Sequence, residues 1–475
     1  CDKQTATLAA SMSLEKLLHA HGHEAQHELH HYEESYWTTR RRDSWCSQLS
    51  QLAETPSTQN ADGETLNLPV EEEPTSSICG CALSLVSTCV GSGLLALPFA
   101  FAAAGPLHGL GILAGSALLS AFVSLLLCTC CDWSEKKSYE ELAIAAFGSW
   151  GSVIMELMVV WLLLGAMTSL LVIAGDCLMA VGPSLDLAGS ERRGLLTALD
   201  VALVILPLSC LQSPASLLYS NALAVSCTLL VGLLLSLRSW GPWGSASDLV
   251  ISSQSNLSGL PGLLRAVPIV TLSLGCQVQV PCIYATLEKR SFKRMRCAIL
   301  AAMGLCMFIY TVVALSGLRV AELQGVTAVP GNVLDLFGSS DWLGGAMRAA
   351  ISVAVTLAFP MLCLPCRSTV DHLVFGGGAF AASNAGIRHR VETLVVVCIT
   401  LLLSTTESDL SKVFGFTGAT AGAVICYVLP LCFYLRLRMT RPAVERHSTI
   451  AVAVLCGLLL AAMIPCVVLA TWQLL

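Results

Sequence analysis

The chain has 475 residues, of which 55% are hydrophobic and only 12% are charged, and its mean hydropathy is +0.72. A water-soluble domain of this size would not expose so apolar a surface, so the composition indicates a polytopic membrane protein. The formal net charge is −6, and no basic patch predicts nucleic acid as a partner. The 22 cysteines lie mostly inside apolar segments, where a thiol behaves as a small hydrophobic group, so they do not predict a disulfide framework.

Residues 1–77 form a polar segment that predicts a disordered tail in the cytosol. The chain begins with Cys1, so we expect further residues before it. Six histidines between His19 and His31 have donor atoms suited to a transition metal. A solvated low-complexity segment explains them better, because no scaffold fixes the ligands, and no metal site is predicted.

Residues 78–475 are predicted to form one transmembrane domain. A helix needs about 20 apolar residues to cross a hydrocarbon core of roughly 30 Å, and this part of the chain contains eleven such stretches. They lie near residues 78–104, 107–131, 149–182, 195–213, 215–237, 263–287, 297–319, 343–366, 391–408, 413–436 and 448–474. Lys and Arg are concentrated in the loops on the side of the tail, which predicts a cytosolic N-terminus and a C-terminus on the outer side.

The first span is interrupted within the sequence SLVSTCVGSGLLALPFAF, where Gly91, Ser92 and Gly93 are followed by Pro98. Gly weakens a helix through its backbone entropy, and Pro has no N–H group to donate. In lipid, each backbone group freed in this way must find another partner. The sequence therefore predicts a broken helix and a candidate binding site within it.

A similar interruption lies in the sixth span, where Gly275 and Pro281 bracket Cys276, Gln277 and Gln279. Broken helices at corresponding positions of two halves are typical of inverted-repeat secondary transporters, whose substrate binds between them. Spans one to five and six to ten have opposite predicted orientations, as a five-plus-five inverted repeat requires. The eleventh span is additional.

Three separated motifs carry a family resemblance: Val90–Phe101 in the first span, Val267–Ser291 in and after the sixth, and Phe359–Ser368 in the eighth. Together they resemble the amino acid/auxin permease family, in particular its sodium-coupled neutral amino acid transporter branch. The resemblance implies an all-α, LeuT-like fold of about eleven helices with helices 1 and 6 broken. It also implies alternating access to a site at the membrane midplane.

The resemblance, with the breaks, predicts how a zwitterionic amino acid is held. N–H groups at the start of the half-helix after Gly93 would face its carboxylate, and backbone carbonyl groups would face its ammonium group. The predicted substrate-binding residues are Gly91, Ser92, Gly93, Gly275, Cys276 and Gln277. The glycines also fit a role in close helix packing, and the Gln277 amide fits a bridge between helices equally well.

The resemblance also suggests a cation site. The family branch commonly has an asparagine, associated with sodium binding, three residues before the Val-Gly-Ser-Gly unit, where this chain has Ser87. A threonine is expected immediately before Phe359; this chain has Ala358 there and Thr356 two residues earlier. The predicted cation-binding residues are Ser87, Val90, Thr356 and Ala358.

Protons are the other predicted coupling ion. Ionisable residues inside membrane spans are costly and are therefore functional candidates. Glu156 and Asp176 lie in the third span and Asp200 lies in the fourth. All three lie nearer the ends of their spans, so a paired structural role is an alternative to proton coupling.

The leading prediction is an ion-coupled secondary active transporter of small neutral amino acids that needs no cofactor. Its predicted partners are the substrate and the lipid bilayer of the plasma membrane or a vacuolar or lysosomal membrane, and it is expected to work as a monomer. The alternative is an amino acid sensor that keeps the transporter fold. The sequence shows no nucleophile motif or phosphate-binding loop, so an enzyme is not predicted.

Overall fold

The computed structural model describes residues 76–91, 93–181, 189–210, 214–240, 259–326, 328–338, 341–375, 385–439 and 446–474. The predicted tail before residue 76, with its histidines, lies outside the described residues, as does Ser92. Throughout the described ranges the secondary structure is helical, apart from one isolated β-bridge between Ser76 and Leu287. The predicted all-α polytopic architecture is confirmed.

The helices are numbered in chain order: α1 Ile78–Cys89, α2 Gly93–Ala104, α3 Pro106–Ser134, α4 Tyr139–Val181, α5 Gly189–Asp200, α6 Leu206–Ser209, α7 Pro214–Trp240, α8 Leu260–Ser273, α9 Val280–Thr286, α10 Phe292–Leu323, α11 Trp342–Phe375, α12 Ala385–Thr406, α13 Leu410–Thr417, α14 Leu429–Met439 and α15 Arg446–Leu474. Two π-helical segments, Gly418–Gly422 and Val424–Val428, lie between α13 and α14, and a π-helical turn, Val201–Ile205, joins α5 to α6. A short 3-10 helix, Val333–Leu336, lies between α10 and α11.

Eight of the described helical segments are long and apolar enough to cross a membrane, and a ninth is reached if α1 and α2, which are bent by 67° at the break, count together as one span. The predicted fourth and sixth spans correspond to shorter pieces, α5 with α6 and α8 with α9. The predicted count of eleven spans therefore stays a prediction, although its segments fall where helices are found.

The third span contains a kink that defines where the membrane-crossing part of α4 begins. Gly148 has φ 68° and ψ −157°, a left-handed conformation that favours glycine, and it separates residues 139–147 from 149–181. The sequence predicts a third span from residue 149, in agreement with this division. The shorter part before Gly148 begins with Tyr139, whose hydroxyl donates to the carbonyl group of Ile425, 2.6 Å away.

The centre of the molecule is built from the two interrupted spans and the seventh. Helix α2 packs against α8, while α10 packs against α1, α2 and α3. Helix α11 packs against α4 and α7. The last helix, α15, is the least buried of the candidate spans, as expected for a helix outside the two repeats. The packing therefore brings both interruptions to the middle of the bundle.

Candidate functional site

The first break separates α1 from α2. Helix α1 ends at Cys89, and Val90 has the extended dihedrals φ −76° and ψ 101°. The N–H group of Val90 still donates to Val86, 2.8 Å away, and that of Leu94 donates back to Gly91, 3.1 Å away. A side chain at Gly91 would meet no atom within 4 Å. The break is therefore short, with open space beside it.

The second break, between α8 and α9, is longer and more firmly held. Residues 274–279 make short turns, in which Gly275 N–H donates to Leu272 at 3.0 Å and Gln279 N–H donates to Cys276 at 3.0 Å. The Ser120 hydroxyl of α3 donates to the carbonyl group of Leu274, 3.1 Å away. A neighbouring helix thus supplies a partner to a carbonyl that the interrupted helix leaves free.

The two breaks lie against each other. A β-carbon placed on Gly93, the first residue of α2, would lie 2.5 Å from the Oγ of Ser273, the last residue of α8. The Tyr310 hydroxyl of α10 lies 2.6 Å from the carbonyl oxygen of Cys89 and 2.8 Å from that of Ser273. The predicted juxtaposition of the interrupted spans is therefore present, and glycine at position 93 permits this close approach.

This arrangement offers both kinds of polar end that a zwitterion needs. The last carbonyl groups of α1 and α8 converge, so the negative ends of two helix dipoles face one point. The first N–H groups of α2 begin at Gly93, on the other side of the short break, and suit a carboxylate. All these groups belong to the backbone, and none depends on a charged side chain.

The second-break residues differ in what they contact: the Cys276 thiol interacts with that of Cys89 at the end of α1, whereas Gln277 and Gly275 face other elements. Gln277 is fully buried, and its amide donates to the Ser120 hydroxyl at 2.8 Å. Its Oε1 is buried and has no hydrogen-bond partner among the described residues. A β-carbon at Gly275 would lie 3.0 Å from the Cys426 Sγ. The bridging alternative for Gln277 thus has a direct contact in its favour.

The predicted cation-binding residues come from two different regions. The Ser87 hydroxyl donates to Ser84 of its own helix at 2.9 Å, and Val90 is buried at the end of α1. Thr356 and Ala358 are half-buried on α11. Among the described residues no hydrogen bond joins Ser87 to Thr356.

Two of the three predicted proton-coupling carboxylates lie beside a basic side chain. Glu156 is buried, accepts from Ser152 at 2.7 Å and lies 3.2 Å from the His372 Nδ1. Asp176 forms an ion pair with Arg193 at 2.9 Å. Asp200 is half-buried at the end of α5.

Asp176 is part of a larger group that the sequence did not reveal. We call it the outer polar cluster, because it lies on the face that the Lys and Arg distribution predicts to be outside. It consists of three carboxylates, two guanidinium groups and one amide, on Asp176, Asp335, Asp409, Arg193, Arg348 and Asn332. The buried Asn332 amide donates to Asp176 at 3.0 Å, and so ties the connection between α10 and α11 to α4.

Arg348 holds the same connection from the other side. Its buried guanidinium donates to the carbonyl group of Leu334 at 3.0 Å and also to that of Phe337. Desolvation of the carboxylate by the surrounding protein, together with the nearby Asp176 carboxylate, raises the pKa of Asp335 to about 7, although the side chain itself is exposed. The 3-10 helix containing Asp335 packs against α2, so the outer polar cluster adjoins the half-helix that starts at the first break.

Comparison with known proteins decides the family. A family model described as "Transmembrane amino acid transporter protein" matches residues 74–470. The chain belongs to this family. The family resemblance predicted from the three motifs in the first, sixth and eighth spans is therefore confirmed.

Several relatives carry solute-carrier names. Solute carrier family 38 member 10 of Mus musculus is 28% identical over 382 residues, which cover 77% of this chain and 34% of that protein. The putative sodium-coupled neutral amino acid transporter 11 of Danio rerio is 25% identical over 372 residues, 77% of this chain and 80% of that protein. The chain spans about a third of the length of the member 10 relatives.

Solved structures agree on the fold. The inward-facing conformation of Mhp1 has a TM-score of 0.54 at 13% identity and covers 87% of this chain and 95% of its own. Closed Mhp1 with bromovinylhydantoin, described as a nucleobase-cation-symport-1 family transporter, has a TM-score of 0.53 at 11% identity, covering 84% and 93%. The predicted LeuT-like fold with interrupted first and sixth helices is confirmed. The Danio rerio relative and closed Mhp1 are named as transporters, in agreement with the prediction that the chain is not an enzyme.

Proposed function

We propose that the chain is an ion-coupled secondary active transporter of small neutral amino acids, with the substrate bound between the two breaks. The observation that carries the proposal is the contact between the breaks, where two half-helix C-termini converge beside the start of α2. Helix dipoles of both signs that end at one place match an ammonium group and a carboxylate. The relative in Danio rerio, named for neutral amino acids, supports this substrate class.

Sodium is the coupling ion that the relatives' names favour. Oxygen atoms of Ser87, Val90, Thr356 and Ala358 are hard ligands of the type that such a cation prefers. Coupling to protons is the second candidate, favoured by the buried carboxylate of Glu156 beside His372. The proposal includes a cytosolic N-terminus, one chain as the working unit, and residence in the plasma membrane or a vacuolar or lysosomal membrane.

The deciding experiment is uptake of labelled alanine and glutamine into proteoliposomes, with sodium and proton gradients imposed separately. Accumulation driven by one gradient identifies a coupled transporter and its ion. Binding of either amino acid without uptake under both gradients would instead support a sensor with the same fold.

The sodium site has a matched pair of variants. Ser87 and Thr88 both donate to the carbonyl group of Ser84 at 2.9 Å, so either substitution by Ala removes one hydroxyl bonded to the same oxygen. We expect Ser87→Ala to raise the sodium concentration for half-maximal uptake about tenfold, because it removes one polar contact to a charged ion, while Thr88→Ala leaves it unchanged. Equal sodium curves for both variants would remove Ser87 from the site.

A further inference from the structure

The Tyr310 side chain lies within hydrogen-bond distance of the ends of both interrupted helices. It is fully buried in the middle of α10. Its hydroxyl oxygen lies 2.6 Å from the Cys89 carbonyl oxygen and 2.8 Å from the Ser273 carbonyl oxygen. Cys89 is the last residue of α1 and Ser273 is the last residue of α8. These are corresponding positions in the two repeats.

The hydroxyl cannot satisfy both carbonyl groups fully. A tyrosine has a single O–H donor, whereas the last carbonyl group of each helix has no partner within its helix. Each half-helix C-terminus also carries about half a negative elementary charge from the helix dipole. The two helix ends therefore share a single O–H donor, and their carbonyl oxygens can still accept further hydrogen bonds.

We propose that Tyr310 is a positioning residue for the ammonium group of the substrate. It holds the last carbonyl groups of the two half-helices at a fixed separation and occupies part of their acceptor capacity, so that N–H donors of the substrate complete the rest. The inference rests on the proposed function, because it needs an amino acid at the breaks. Tyr310 lies on a helix outside both breaks. By occupying part of the acceptor capacity of the carbonyl groups, it sets how many N–H donors of the substrate they can still accept.

The number of N–H donors on the substrate gives a specific test. A primary ammonium group has three N–H donors, while the ammonium group of N-methylalanine has two. In Tyr310→Phe the carbonyl groups lose their protein donor, and a buried acceptor left without a partner is destabilising. Alanine recovers part of that loss through its additional N–H, and N-methylalanine does not.

A second tyrosine that donates to the same half-helix, α8, provides a matched control. Tyr427 is also buried, and its hydroxyl donates to the carbonyl group of Thr271 at 3.0 Å, two residues before the end of α8. Tyr427→Phe therefore removes a tyrosine hydroxyl that donates to the same half-helix, and neither hydrogen-bonding partner lies in α1. A general loss of packing or of backbone hydrogen bonding would affect both variants alike.

The experiment measures KM and Vmax for alanine and N-methylalanine in proteoliposomes with the full chain, Tyr310→Phe and Tyr427→Phe. We expect Tyr310→Phe to raise the ratio of the N-methylalanine KM to the alanine KM about tenfold, with the ratio unchanged in Tyr427→Phe. The same ratio in all three proteins, or an equal shift in both variants, would overturn the role of Tyr310. Failure of the unmodified chain to bind or transport either compound would instead overturn the proposed function.

A second measurement does not depend on whether Tyr310→Phe folds. With 3-fluorotyrosine at position 310, the ring keeps its shape and its hydroxyl, and the ¹⁹F resonance reports on the hydrogen bonds of that hydroxyl. Saturating alanine should shift the resonance, because the ammonium group competes for the same carbonyl oxygens. Alanine that binds without shifting it would overturn the proposal.

Discussion

The two breaks and the outer polar cluster both stabilise non-helical backbone, but with different kinds of side chain. Both regions hold irregular backbone in place, at the centre of the bundle and at the predicted outer face. At the breaks the partners are uncharged: the hydroxyls of Tyr310 and Ser120 and the amide of Gln277. In the outer polar cluster they are ionic, with Asp176 and Arg193 in direct contact.

The difference shows where in this fold a charged side chain can lie without a large free-energy cost. An unpaired charge at the membrane midplane is expensive, so a site left neutral by the protein can accept the opposite charges that a zwitterion brings. Near the water interface, charged groups are solvated in part and can fasten a connection without that penalty. We therefore expect substitutions at the breaks to change transport, and substitutions in the outer polar cluster to change stability and its pH dependence.

The largest effect is expected for Gly93→Val. Even a single β-carbon at this position would lie 2.5 Å from the Ser273 Oγ and 3.2 Å from its Cβ, so a branched side chain must push α2 away from α8. It would also fill the space proposed for the substrate carboxylate. We expect uptake to be abolished while the protein still reaches the membrane, as measured by transport and surface labelling in parallel.

The control for this prediction is Gly111→Val. Gly111 lies in α3, and a β-carbon there would meet no atom within 4 Å, so the same change of residue should leave uptake intact. Uptake by Gly93→Val at the level of this control would place the substrate elsewhere.

An intermediate effect is expected for Asp176→Ala, in the outer polar cluster. The substitution leaves the Arg193 guanidinium and the buried Asn332 amide without their shared acceptor. Loss of hydrogen bonds to a charged group in a partly buried place costs about 1.5–3 kcal/mol. We expect a lower melting temperature and faster amide hydrogen exchange in residues 328–338.

Glu288→Ala serves as the comparison for Asp176→Ala. It removes one member of the exposed pair between Glu288 and Arg294, whose charged atoms lie 4.0 Å apart. Such surface pairs contribute about 0–1 kcal/mol, so its melting temperature should stay near that of the unmodified chain. Equal melting temperatures for the two variants would mean that Asp176 does not fasten the connection.

The contrast between the regions also explains what sequence could predict. Gly91, Gly93, Gly275 and Pro281 are local breakers, and their effect on a helix follows from backbone chemistry alone. Their positions therefore predicted both breaks and, with the motifs, the fold. The direction of Gln277 could not be predicted in the same way, because residues 274–279 follow no helical period that would assign a face.

The groups that sequence missed are joined over long separations. Tyr310 contacts a residue 221 positions earlier in the chain, and Asn332 contacts one 156 positions earlier. A tyrosine in an apolar span and an asparagine in a loop are both ordinary, so neither residue type indicates its partner. Only the packing of α10 against α1, and of the following connection against α4, reveals the roles.

The smallest effect on stability is expected from the titration of Asp335. It should appear in the outer polar cluster and not at the breaks, which uncharged groups hold. Asp176, Asp409, Arg193 and Arg348 are the charged groups that surround it, and its pKa is raised to about 7. In the unfolded chain an Asp has a pKa of about 3.9. Between these values the folded protein keeps a proton that the unfolded chain has lost, so its stability falls as the pH rises from about 4 to about 7 and is level above that.

Asp335→Asn imitates the protonated carboxyl group at every pH. We expect its melting temperature to match that of the unmodified chain at about pH 4 and to exceed it by a margin that grows up to about pH 7. The margin should stay modest, because the exposed side chain remains solvated. All other carboxylates titrate in both proteins, so the difference isolates Asp335. A constant difference between pH 5 and pH 8 would show that this group does not titrate in the folded state. The ratio of substrate KM values governed by Tyr310 should not vary over the same pH range, because the breaks are held by uncharged groups.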